Sequence, residues 1–142
     1  MAVSFVTFYS LVEHLAEKVH NLGSDQLTIA LTNTAPSRSN TVLADLTEIS
    51  YTNLSARNLT TSSSSQSSGT YKLIVADLTL TASGGSVAQF QYVVVYNNTP
   101  TSPADPLIGY WDYGSGVTLA DTESFLIDVS AVNGILQMVA TT

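Results

Sequence analysis

The chain has 142 residues, a size that gives one domain with a real core. Its formal net charge is −7, and its four basic residues, Lys18, Arg38, Arg57 and Lys72, are scattered. Binding to nucleic acid by counterion release needs clustered Lys and Arg, so direct DNA or RNA recognition is not expected. Charged residues make up 11% of the chain, about half the usual share, and Ser and Thr fill much of the gap. The absence of cysteine rules out disulfides, thiol catalysis and cysteine-ligated zinc.

The opening segment, MAVSFVTFYSLVEHLAEKVH, has no basic leader region, and Glu13, His14, Glu17 and Lys18 interrupt its apolar residues. It does not read as a signal peptide, and no apolar run approaches the length of a membrane-spanning helix. Assembly in a cytoplasm, without a membrane, is the expectation. From Ser4 to Leu22 the apolar positions Phe5, Phe8, Val12, Leu15, Val19 and Leu22 recur at alternating intervals of three and four. That period predicts one helix over about 4–22, capped by Ser4 or Thr7 and ended by Gly23.

Everything after Gly23 reads as β. Gln26–Leu31 predicts a short strand with Leu27, Ile29 and Leu31 on one face. Asn33–Asn40 is a loop of turn formers that includes Pro36, and Val42–Ser50 is an irregular extended segment. Thr60–Gly69, rich in serine, predicts a mobile loop or a solvated edge. Thr70–Ala82 and Ser86–Tyr96 flank Gly84-Gly85 and predict a tight hairpin. Leu107–Tyr113, Val117–Leu119, Ser124–Val129 and Ile135–Ala140 add short strands, with Asn133-Gly134 as a second hairpin signal. The fold class is therefore mainly β: an antiparallel β-sandwich or barrel of about seven to eight strands with one N-terminal α-helix. The helix would cover an open edge or face, or reach a neighbouring subunit.

Chemistry-bearing motifs are sparse. His14 and His20, six apart on the predicted helix, point about 120° apart, and HExxH is absent. Glu13, Glu17 and His20 have spacings of four and three, but a solvated polar face explains them as well. No G-x-S-x-G elbow accompanies the many serines. Asp112 with Asp121 or Glu123 is the one carboxylate pairing a glycoside hydrolase would use, and it needs a cleft that a chain of this size has little material to build. The sequons at Asn53, Asn58 and Asn97 are chance matches in a Ser/Thr-rich chain without a secretion signal. No catalytic residue, metal or cofactor is implied, and an enzyme is not expected.

The segment Phe90–Gly116 stands apart, with two aromatic strands around a loop holding Pro100, Pro103 and Pro106. Alternation puts Trp111 and Tyr113 on one face of their strand and Tyr110 and Asp112 on the other. Tyr110, Trp111 and Tyr113 read as core on one side and partner contact on the other, with a sugar-stacking platform as the competing reading. The expected contact surface is Tyr110, Trp111 and Tyr113 with Pro100, Pro103 and Pro106, joined by the loop carrying Asn33 and Pro36.

Four segments, FYSLVEHLAEKVHNLGSDQL (Phe8–Leu27), LTNTAPSRSNTVLADLTEIS (Leu31–Ser50), SSGTYKLIVADLTLTASGGSV (Ser67–Val87) and VVVYNNTPTSPADPLIGYWDYG (Val93–Gly114), resemble in the same order a family of small tailed-bacteriophage virion proteins. The chain departs from that family at Tyr51–Arg57, where a glycine-rich turn is usual. The resemblance implies a virion component, and no catalytic residues are carried over. The expected role is a capsid decoration or cement protein on the outer head shell, with the major capsid protein and copies of itself, as dimer or trimer, for partners. The alternative is a tail, neck or fibre-associated protein that adheres to a host glycan.

Overall fold

A computed structural model describes residues 3–142, so Met1 and Ala2 of the opening segment lie outside the described residues. The described residues form nine strands and one short helix: β1 (Phe5–Thr7), α1 (Ser10–Ala16), β2 (Leu27–Thr32), β3 (Thr61–Ser67), β4 (Thr70–Val75), β5 (Leu78–Thr81), β6 (Phe90–Asn97), β7 (Leu107–Val117), β8 (Ser124–Ile127) and β9 (Leu136–Val139). A single 3-10 turn, Leu43–Asp45, lies between β2 and β3. All pairing between strands is antiparallel: a four-stranded sheet β1-β7-β6-β2, a three-stranded sheet β3-β4-β9, and the pair β5-β8. The expected mainly β fold with an N-terminal helix is present, as a sandwich-like arrangement rather than a closed barrel.

The four-stranded sheet is buried on both faces. Leu27, Ile29, Leu31, Val93, Val95, Ile108 and Trp111 pack on one side with Leu73 and Val75 of β4, Leu80 of β5, and Phe125 and Ile127 of β8. Ala30, Val94, Tyr96 and Leu107 face the other way into a smaller cluster with Phe8, covered by Leu43, Leu46 and Tyr110. This explains the near-continuous apolar run of β6, where alternation alone would leave every second residue wet. The outer edge of β2 is closed by the segment that follows the 3-10 turn. Ile49 donates to Leu31 O, Ile29 to Arg57 O and Leu59 to Leu27 O.

The predicted helix over 4–22 is corrected at both ends. Phe5–Thr7 is a strand, because Phe5 pairs with Trp111 and Thr7 with Gly109 at the edge of β7. The bare Cα of Gly109 makes room for the Phe5 ring, since a Cβ there would sit 2.4 Å from it. The helix that remains presents Leu11 and Leu15 to the main cluster, whereas Phe8 just before it packs in the smaller one, and Val12 turns out to solvent at 72% exposure. It ends at Ala16, with Lys18 rather than Gly23 as the left-handed closing residue. Lys18 is left-handed at φ 63, its amide donates to Leu15 O, and the Val19 amide donates to His14 O. That pair of bonds is a Schellman closure, with lysine where glycine is usual.

Three further expectations change. Gly84-Gly85 takes the positive φ values it was read for, 85° and 151°, but does not join a hairpin. β5 pairs with β8 while β6 pairs with β2 and β7, so the turn carries the chain between sheets. Its glycines also admit Asn53, whose side-chain nitrogen would lie 2.7 Å from a Cβ on Gly85 and donates to Ser86 O. Asn133-Gly134 likewise connects strands of different sheets, β8 and β9. The serine run is the strand β3 at a sheet edge, the solvated-edge alternative, and Ser68 (φ 51) with Gly69 (φ 81) makes the two-residue hairpin turn into β4. Val117–Leu119 is no separate strand, as Val117 closes the eleven-residue β7.

Candidate interaction surface

The residues nominated from sequence fall into two groups. Trp111 is only 5% exposed and packs its ring 4.7 Å from that of Phe5 in the main core. It is a core residue, which corrects its reading as a partner contact. Tyr113 lies farther along β7, 45% exposed, with its ring edge-on to Phe125 at 5.2 Å. Tyr110 points to the opposite face, half-buried against Phe8 at 5.4 Å. The three aromatics therefore form no common platform on which a sugar ring could stack.

Tyr110, the proline loop and the Asn33 loop do come together. Val42 bridges to Pro106, the Leu43 amide donates to Asp105 O, and Leu107 donates to Thr41 O. Pro106 is buried by this contact, a second correction, while Pro100 and Pro103 are half-buried. The Asp45 carboxylate holds the junction by accepting from the amides of Thr41 (2.8 Å) and Val42 (3.2 Å). Those amides keep its pKa below the usual carboxylate value. On the other side, the Tyr9 amide donates to Arg38 O, and the Arg38 Nε donates to Thr7 O at 2.9 Å. The Arg38 guanidinium lies 4.5 Å from the centre of the Tyr9 ring.

The result is a rim on the small-cluster side of the main sheet: Tyr9, with Val12 three residues on, the exposed Arg38 with the half-buried Pro36, then Pro100 and Pro103, while the exposed Asn33 follows Thr32 at the Tyr92 end of the sheet, away from the proline loop. Sequence reading missed Tyr9 and Val12 because a helix over 4–22 would bury Val12. The signal for Tyr9 was there, as it lies off the predicted apolar stripe. Apart from the Arg38 guanidinium the rim is uncharged and hydroxyl-rich, with Ser37 and Ser39 bonded to each other and the Ser37 amide donating to Asn40 Oδ1. Such a surface binds by apolar contact and neutral hydrogen bonds.

The catalytic candidates do not assemble. Asp112 Oδ1 accepts from Gln91 Nε2 and from the Gly114 amide, Asp121 from the Gly84 amide, and Glu123 from the Ala120 amide. Each carboxylate thus holds a local turn or strand contact. Among the described residues no group of three or more His, Cys, Asp or Glu converges as a metal site.

The two histidines behave differently from their expected divergence. The Schellman turn folds His20 back over His14, and their rings meet edge-on at 5.6 Å. Asn97 Nδ2 lies 3.0 Å from His20 Nδ1 and donates to Asp25 Oδ2 at 2.6 Å. His20 Nδ1 is therefore the acceptor and the proton sits on Nε2. Burial, assisted by His14 and opposed by Asp25, pulls the His20 pKa down to about 4. With no nucleophile bonded to it, this cluster ties the end of β6 to the chain entering β2.

No protein-family model, curated protein or solved structure matches the chain. The reading of the rim rests on its own residues.

Proposed function

We propose that the chain is a structural protein of a tailed-phage virion, a decoration or cement protein that binds the outer head shell through the rim of Tyr9, Val12, Arg38, the Asn33–Asn40 loop and the proline loop. The observation that carries this reading is the continuity of that rim. Arg38 bonds to Tyr9, and Thr41–Leu43 bond to the end of the proline loop, so segments distant in sequence form one surface beside the exposed Val12. The sequence resemblance to small virion proteins supports the same reading, since it includes both loops. Each contact is modest, and affinity comes from many copies engaging a repeating shell. Apolar burial at about 25 cal/mol per Å² supplies the drive, and backbone and hydroxyl groups set the register.

The test is co-sedimentation of the purified protein with heads of the encoding phage stripped of it. Wild-type protein rebinds, and Tyr9→Asp with Val12→Asp, both exposed, weakens rebinding at least about tenfold without loss of fold. Full rebinding by that double variant would remove the rim from the account. The glycan-adhesion alternative draws no support from a buried Trp111. Its test is glycan binding by the intact chain.

A further inference from the structure

The three-stranded sheet has two outer edges, and they differ. β3 is a serine strand whose pairing with β4 is broken by a bulge between Thr61 and Ser63, a feature that blunts an edge. β9 carries no such protection. It pairs with β4 on one side only, and among the described residues no strand lies beyond it. Val129–Thr142 contains neither a charged side chain nor a proline, in a chain of net charge −7. Met138 and Val139 are exposed large apolar residues at 40% and 63%.

The direction of the free backbone groups follows from the ladder. The Ala140 amide donates to Gly69 O, and Val139 is opposite Thr70. In an antiparallel pair, bonded and non-bonded positions alternate. Met138 therefore exchanges bonds with Tyr71, while the amides and carbonyls of Gln137 and Val139 point outward. Ile135 donates to Leu73 O and is not available for the same use.

We infer that β9 is a homodimer edge, on which a second copy of this chain adds its own β9 antiparallel about a twofold axis at Met138. In this register Gln137 bonds Val139 of the second copy and Val139 bonds its Gln137, so both outward residues of each strand are used. Met138 meets its counterpart as the non-bonded pair, where side chains approach most closely. That contact falls beside a groove of about 460 Å³ whose lining includes Leu15, Leu22, Tyr71 and Met138 together with Lys18 and His20. The occupant is a second copy because the edge is self-complementary and the strand itself carries no charged side chain, so two acidic molecules meet there with no side-chain carboxylate on the paired strands. The inference is independent of the capsid reading, since it concerns the protein alone in solution.

Sedimentation velocity over a concentration series, paired with hydrogen exchange, tests it. The expected result is a mass that doubles with concentration and slowed exchange at the amides of Gln137 and Val139 in the dimer. Gln137→Pro removes one outward N–H, and Val139→Lys places charge on the edge. Each raises the dimer dissociation constant at least about tenfold, while circular dichroism stays that of the wild type. A monomer at all concentrations overturns the inference. So does a dimer that survives Val139→Lys and leaves those two amides unprotected.

Discussion

Trp111 owes its burial to a residue with no side chain. Gly109 leaves the space that Phe5 fills, and Phe5 seals Trp111 into the core. Trp111→Ala is expected to cost about 3–5 kcal/mol in chemical denaturation, as for other large aromatic-to-alanine changes in cores. A surface tryptophan would cost under about 1 kcal/mol. His20 offers a test at the same scale. Its pKa is about 4 when folded against 6.5 in its ordinary state, so above pH 6.5 it is neutral in both states. Between pH 6.5 and 4 the unfolded chain takes up the proton first, and stability falls by up to about 3 kcal/mol. Urea titrations across that range should show His20→Gln with the shallower loss, because it has no proton to gain. Equal slopes would deny His20 its buried neutral state. Neither behaviour was legible in the sequence, where the alternation rule gave Trp111 a strand face but not which face was wet. The histidine spacing assumed a helix running through His20, whereas α1 ends at Ala16.

At the scale of elements, periodicity identified what packs better than it identified how. Leu27, Ile29 and Leu31 share a face as read, because both sides of β2 are covered and no competing geometry fits six residues. The same logic failed over 4–22, where an apolar period of three and four was satisfied by a strand, a corner and a two-turn helix. Local signals could not show that Phe5 had a strand partner more than a hundred residues away. Turn chemistry was read correctly for conformation and incorrectly for connection, as at Gly84-Gly85. The hairpin that does form turns on Ser68-Gly69, with both residues at positive φ. Asparagine tolerates that conformation better than serine. Ser68→Asn is thus expected to raise stability by about 0.5 kcal/mol, and Gly69→Val to lower it by more than about 1 kcal/mol, in thermal unfolding. Asn53, at φ 68, takes the same left-handed conformation within the Tyr51–Arg57 stretch. It meets the same backbone demand while its side chain secures Ser86.

For the whole molecule, the sandwich-like arrangement buries both faces of the main sheet and leaves binding to rims and edges. Low charge fits this arrangement, since surfaces that meet neighbours by shape and neutral bonds lose little to desolvation. The β9 edge belongs to the three-stranded sheet and the proline loop joins strands of the four-stranded sheet, which would let one subunit touch the shell and a second copy together. Composition and resemblance pointed toward assembly, while the rim itself was legible only in its loops. Its helix face depended on where α1 ends. The proposed virion role is tested most directly by imaging purified phage particles from the source of this chain, with the protein located and counted in the reconstruction. The account predicts many copies arrayed on the outer head shell, with Tyr9, Val12 and the Asn33–Asn40 loop against the capsid protein. Heads that lack the protein, or a few copies confined to the tail or neck, would contradict it.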